Sequence, residues 1–187
     1  MDERRKILFL DIDGVLNCHQ SKTYWSPEHP ETYGIDDNCW NRLQEFLKSN
    51  PNVEVVIHSS WVKAKDVPDA KWDMGTGDPN IFIKSPLPDV VKRLGKSLIG
   101  YVPNIKGKNK FSLILAWLSD NGFDPIHIED KNVTVAVLDD QDDMWTNLRQ
   151  LRNFPCIYVR FTNNQLGLQN EDVDYIQKAF DGKDVPQ

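Results

Sequence analysis

The chain has 187 residues, of which 40% are hydrophobic and 27% charged, and its net charge is −6. That length holds one domain with a real core and is short for two. The acidic balance argues against a non-specific grip on nucleic acid or on an anionic membrane, a local basic patch aside. No apolar run approaches the roughly 20 residues of a membrane-spanning helix. The run after the basic cluster Arg4, Arg5 and Lys6 is too short for the core of a signal peptide, so a cytoplasmic setting is expected. Cys18, Cys39 and Cys156 are odd in number with no close pair in sequence, which fits reduced thiols.

KILFLDID is the first expected strand: continuously apolar, then closed by the turn-forming Gly14. Residues 17–35 follow as a long aromatic, polar, proline-containing connection, a type that is usually functional when ordered. In IDDNCWNRLQEFLKSN, Cys39, Leu43, Phe46 and Leu47 recur at helical spacing, with Asp36 or Asp37 as cap and Asn50-Pro51 as stop. VEVVI (53–57) is a second strand, ending in His58-Ser59-Ser60. Residues 62–109 are irregular: MGTGDPN (74–80) reads as a loop, DVVKRLGKSL (89–98) as a short helix, and IKGKNK as a mobile basic segment. KFSLILAWLSDNG is a helix stopped by Asn121-Gly122, with Trp117 on its apolar stripe. VTVAVL (133–138) is a third strand running into Asp139-Asp140. MWTNLRQL then reads as a helix, CIYVRF as a fourth strand and EDVDYIQKAF as a final amphipathic helix.

Strands alternating with helices imply a parallel sheet covered on both faces, and the unbroken apolar character of VEVVI and VTVAVL agrees. Ligands bind such sheets at the carboxyl ends of the strands. There the sequence places Asp11 and Asp13 after the first strand, His58, Ser59 and Ser60 after the second, and Asp139 and Asp140 after the third. Four carboxylates that converge repel one another by some kcal/mol per close pair. An oxygen-only ligand set relieved by a hard cation points to Mg²⁺. In extended chain Asp11 and Asp13 point to one side, so one can attack or hold the metal while the other manages a proton. Gly14 permits the turn and a close backbone approach to a ligand. Ser59 and Ser60 offer hydroxyls and N–H groups to phosphate oxygens. A lysine of the basic segment, Lys106, Lys108 or Lys110, is available to neutralise the negative charge. His58 reads as a packed residue, and Asp142 and Asp143 as solvated acids or helix caps. Trp25 and Trp72 are loop aromatics suited either to anchoring or to stacking on a base.

With DIDGVLN, SSW, KFSLILAWL and VLDD in this order at strand ends, the chain resembles the haloacid dehalogenase (HAD) superfamily of phosphohydrolases. It is similar, more narrowly, to the small HAD domains of bacterial and phage RNA-repair proteins, over roughly residues 6–180. The resemblance implies a three-layer α/β Rossmann-like fold spanning 1–187 as one domain, with 17–35 as a small flap in place of a large cap. It further implies that Asp11 is the nucleophile that forms an aspartyl-phosphate and that Asp13 is the general acid and base, its main-chain carbonyl also on the metal. Ser59 would hold the phosphoryl group, Lys110 would bridge Asp11 and the phosphate, and Asp140 with Asp139 would complete an Mg²⁺ site. Such domains often read SSWR, whereas here Val62 follows Trp61, so a basic substrate contact is either missing or taken over by Lys63 or Lys65. The implied activity is phosphomonoester hydrolysis on a nucleotide or a polynucleotide end, with Trp25 as a stacking residue and no extended nucleic-acid footprint. A phosphotransferase or mutase shares the same first step. A non-catalytic phosphate- or protein-binding module is the remaining alternative, and it has no use for an acid at position 13.

Overall fold

Apolar strands without alternation need a hydrophobic layer on each side, and the computed structural model of the chain supplies two. The structure describes residues 4–24, 33–64, 71–73, 82–102, 108–124, 127, 133–141, 151 and 153–185. In chain order the elements are β1 (Arg5–Leu10), α1 (Asp37–Ser49), β2 (Val53–Ile57), a 3-10 helix (Ser60–Ala64), β3 (Lys71–Asp73), β4 (Phe82–Lys84), α2 (Leu87–Leu94), a second 3-10 helix (Gly95–Ser97), β5 (Leu98–Tyr101), α3 (Lys110–Asp120), β6 (Val133–Asp139), β7 (Ile157–Phe161) and α4 (Asn170–Phe180). Five strands form one sheet in the order β5-β2-β1-β6-β7, and every neighbouring pair in it is parallel.

Successive residues along each central strand feed opposite cores. Leu8 and Leu10 of β1, Val55 and Ile57 of β2, and Ala136 and Leu138 of β6 pack with α1, α2 and α4. Ile7 and Phe9, Val56, and Val135 and Val137 pack on the other face with Phe111, Ile114, Trp117 and Leu118 of α3. The expected three-layer α/β, Rossmann-like arrangement is therefore present. Trp117 lies in the core as its stripe predicts, edge-on to Phe9 at a centroid distance of 5.4 Å. Cys18, Cys39 and Cys156 are buried and not joined in disulfides.

The sheet has one strand more than the sequence suggests. The helix expected over 89–98 ends at Leu94, and Leu98 opens β5 on the free side of β2. Gly95 forces the change: its φ of +54° breaks the helix while its N–H still closes the last turn on Val91 O. A short edge strand with one exposed position, Ile99, carries little hydrophobic signal of its own. Within 62–109 the structure also pairs β3 and β4 as antiparallel backbone segments. The expected loop 74–80 and the expected helix 144–151, apart from Leu151, lie outside the described residues.

Register positions the site. Leu10 of β1 stands opposite both Ile57 of β2 and Leu138 of β6. The next residue of each strand, Asp11, His58 and Asp139, therefore emerges at one level. The ladder runs on past the strand ends, with Asp11 N–H donating to Leu138 O at 3.0 Å and His58 N–H to Leu10 O at 3.0 Å.

Asp36 caps α1, its carboxylate accepting from Cys39 N–H at 2.9 Å. Burial works to raise its pKa, but that bond and its neighbours outweigh burial and hold it below the ordinary carboxylate value. A depressed carboxylate pKa contributes stability that is present above the unfolded value and is lost as pH falls through the folded one. Asp36→Ala is expected to cost about 1 kcal/mol in urea unfolding at neutral pH. The difference from wild type should shrink as pH falls below the carboxylate range; a constant difference would remove the charged cap from the account.

Candidate active site

The chain leaves β1 through a tight turn packed into the core. Ile12, Val15 and Leu16 are fully buried, and Leu16 N–H donates back to Ile12 O at 2.8 Å. Gly14 has φ +68°, and a Cβ there would overlap the Asp140 carboxylate, so both the turn and the close approach demand glycine. Asn17 closes the loop by accepting from Gly14 N–H at 2.8 Å. From outside, Thr162 donates to Gly14 O at 2.8 Å and Leu168 N–H to Val15 O at 2.9 Å. A side chain on this turn is therefore held by the backbone beneath it.

Asp11 sits at the centre. One oxygen accepts from Ile12 N–H at 2.7 Å and the other from Lys110 Nζ at 2.5 Å. Lys110 is the first residue of α3, where Asn109 caps the helix by accepting from Ser112 N–H. Its ammonium also reaches Asp139 at 2.9 Å. Burial disfavours the charged lysine, but the two carboxylates outweigh it and raise its pKa. Burial likewise works to raise the Asp11 pKa, and the lysine beside it more than compensates, so Asp11 is held as a carboxylate below its ordinary range. Asp139, fully buried, also accepts from Gln141 N–H at 3.0 Å. His58 packs beneath, as its sequence setting suggests. Its Nε2 donates to Leu138 O at 3.2 Å, Nδ1 lies 3.8 Å from Asp139, and burial lowers its pKa.

Asp140 differs from its neighbour. Both of its carboxylate oxygens are buried, and neither has a hydrogen-bond partner among the described residues. Burial, then the charges of Asp11 and Asp139, push its pKa up to about 7. Asp11, Asp139 and Asp140 each place a carboxylate oxygen within 4.8 Å of the others. Like charges at about 4 Å cost about 4 kcal/mol per pair at a near-surface dielectric. A carboxylate without donors beside two others, with oxygen the only ligand type in the cluster, fits a hard divalent cation.

Four converging carboxylates were expected, and the structure brings together three. The strand ends at Leu10, so Asp13 lies on the turn and not in extended chain, and its carboxylate faces a separate set of donors. Asn17 Nδ2 and the Tyr33 hydroxyl donate to Oδ1 at 3.0 and 2.5 Å, and Trp61 Nε1 donates to Oδ2 at 2.8 Å. Burial, then the Asp11 charge, raise the Asp13 pKa against those bonds. Two aspartates two positions apart thus occupy environments that pull their pKa values in opposite directions. Sequence reasoning assigned no role here to Asn17, Tyr33 or Trp61. The available signal was the presence of polar-tipped aromatics beside the strand-end motifs.

Ser59 is fully buried at the end of β2, and its Oγ accepts weakly from Trp61 N–H at 3.5 Å; Ser60 opens the 3-10 helix and is exposed. Lys108 is exposed, two residues before α3. The two limbs of the 17–35 connection meet where Gly34 N–H donates to Thr23 O at 3.1 Å, and its outgoing limb is tied to the β7–α4 loop by His19 N–H on Asn164 O. Tyr24 stacks on His19 at 4.2 Å. Burial, then the charges of Asp140, Asp13 and Asp11, raise its pKa. Trp25, Lys65, Lys106, Asp142 and Asp143 lie outside the described residues, as do the side chains of Lys63 and Trp72.

A family model described as the HAD domain in Swiss Army Knife RNA repair proteins matches residues 7–173. Among solved structures, the HAD domain of the effector protein Lem4 from Legionella pneumophila is similar at 15% identity over 94% of each chain, with a TM-score of 0.46. No curated protein matches the chain.

The cation fit has a thermal consequence. A ligand that binds only the folded state at a hundred times its dissociation constant adds about 2.7 kcal/mol of stability. A divalent cation is expected to raise the wild-type melting temperature and to leave Asp140→Asn unmoved, with the metal-free variant at least as stable as metal-free wild type. An equal cation response in both proteins would remove Asp140 from the site.

Proposed function

The chain belongs to the HAD domains of Swiss Army Knife RNA repair proteins, and on that premise we propose that it is an Mg²⁺-dependent phosphomonoester hydrolase working through an aspartyl-phosphate on Asp11. The observation that carries this reading is the separation of two neighbouring carboxylates. Asp11 is ion-paired to Lys110 beside the acidic cluster, and Asp13 is held apart by uncharged donors. That arrangement suits a nucleophile and a proton carrier, and a binding module has no need of it.

The chemistry divides among the chain's own groups. An Asp11 carboxylate oxygen attacks phosphorus, the phosphorus–oxygen bond to the leaving group breaks, and Asp13 gives its proton to the departing oxygen. Asp13 then takes a proton from water as that water attacks the phosphorus of the aspartyl-phosphate, releasing inorganic phosphate and restoring both carboxyl groups. Lys110, preorganised at a helix start, offsets the charge gathered around Asp11. Ser59, at the end of β2, is the residue assigned to a phosphoryl oxygen. Asp11 and Asp140, with Asp139 and the Asp13 carbonyl, would hold Mg²⁺, which supplies electrostatic neutralisation of the phosphoryl oxygens.

Family membership favours a phosphate at a polynucleotide end or on a nucleotide. The net charge of −6 suits an end-recognising enzyme better than one that grips a long strand.

Two experiments test the proposal. Quenching each variant with p-nitrophenyl phosphate and Mg²⁺, followed by intact-protein mass measurement, should find a phosphate adduct on Asp13→Asn and none on Asp11→Asn. This follows because an aryl leaving group needs little acid help while hydrolysis of the adduct still needs the base. An adduct on Asp11→Asn would reverse the assignment. Phosphate release from oligonucleotides phosphorylated at the 5′ or 3′ end should exceed release from sugar phosphates and should require Mg²⁺. Preference for sugar phosphates would overturn the substrate class.

A further inference from the structure

We propose that Trp61 and Tyr33 are positioning residues that keep the Asp13 carboxyl group out of the cation cluster and hold it in place for proton transfer. The assignment rests on the phosphatase reading above. Asp13 lies two residues from Asp11, on a turn that also carries Gly14 against Asp140. Left free, its carboxylate has every electrostatic reason to become a further ligand of the cation, and a ligating carboxylate cannot carry a proton. Something must hold it away.

The three donors on Asp13 come from three parts of the chain: Asn17 from its own turn, Tyr33 from the returning limb of the long connection, and Trp61 from the 3-10 helix after β2. The rings of Tyr33 and Trp61 pack on each other at a centroid distance of 5.5 Å, and Trp61 is 4% exposed within the hydrophobic core. A buried indole N–H needs an acceptor, and packing fixes where that N–H points. Here it points at Asp13 Oδ2. The two aromatic tips therefore grip opposite oxygens of one carboxyl group, and the core holds the grip in place.

The donor types add a chemical restriction. The indole N–H only donates, so Oδ2 is held as an acceptor in either state of Asp13. The Tyr33 hydroxyl donates or accepts, so it can serve Oδ1 both as a carboxylate oxygen and as a protonated one. Asn17 Nδ2 likewise only donates, so Oδ1 accepts as well, and the three donors together fix the place of the carboxyl group whichever oxygen carries its proton. Trp61 and Tyr33 contact the Asp13 carboxyl group and are assigned no contact with the substrate, so they act through Asp13 alone.

The experiment compares wild type, Trp61→Phe and Tyr33→Phe on p-nitrophenyl phosphate and phenyl phosphate with Mg²⁺, substrates alike in shape and unlike in leaving-group acidity. Each protein is also quenched for intact mass and melted thermally. A misplaced Asp13 should lower kcat/KM for phenyl phosphate by about tenfold to a hundredfold, part of the full general-acid effect, and change it little for p-nitrophenyl phosphate. It should also leave a phosphate adduct on the variants with the nitrophenyl ester. Equal losses on both substrates with no adduct would make the pair merely structural and overturn the inference, leaving the phosphatase reading intact. A wild type that turns over neither ester and forms no adduct would overturn the phosphatase reading and this inference with it. Should Trp61→Phe fail to fold, Tyr33→Phe decides, because it keeps the ring and removes only the hydroxyl.

Discussion

The Lys110 ammonium between Asp11 and Asp139 is the interaction on which the site depends. Strand register brings the ends of β1, β2 and β6 to one level, and two of those ends continue as buried aspartates. Burying a carboxylate without a partner costs several kcal/mol, so the alignment is tolerable only with a cation in place. Lys110 serves both acids with one charge, and its place as the first residue of α3 fixes where that charge sits. One ammonium against three carboxylates leaves two negative charges, which one divalent cation would balance. Asp140, whose oxygens lack donors among the described residues, is where the deficit shows.

The second constraint is the turn after β1. Had the chain stayed extended, Asp13 would have joined Asp11 on one side. The helical turn over Ile12–Leu16, the left-handed glycine and the braces from Thr162 and Leu168 carry it elsewhere. Asp13 thus meets neutral donors while Asp11 meets a lysine. Two residues of one type, two positions apart, become chemically distinct because the backbone between them leaves the strand. Preorganisation of this kind stands on the two cores: alternating strand residues pack both faces of the sheet, and the turn's own apolar residues are part of one of them.

Much of this was legible in the sequence, and each legible part was local. The runs ILFL, VEVVI and VTVAVL announced buried parallel strands because neither face alternates with polar residues. Asp11, Asp139 and Asp140 were legible as a cluster because in a parallel sheet the residue after each strand faces the ligand edge. Lys110 was one of three candidate lysines, singled out by the resemblance, and the structure places it as the first residue of α3. The strand β5 was not legible, since four residues on a sheet edge carry little pattern and the glycine before them reads equally as a flaw in a helix. The grip of Tyr33 and Trp61 on Asp13 joins residues 20 and 48 positions away, and no periodicity reports a contact of that kind.

What the sequence determined by itself was the chemical inventory and its order along the chain: carboxylates at strand ends, a lysine at a helix start, a glycine where the backbone must turn. Tertiary structure alone decided how the carboxylates divide. Asp139 pairs with Lys110, Asp140 has no donor among the described residues, and Asp13 turns away to a tryptophan and a tyrosine. The reason is physical. Residue type and spacing set what a group is able to do, while charge state and orientation depend on burial, on neighbouring charge and on donors from distant segments, which exist only once the sheet has set its register.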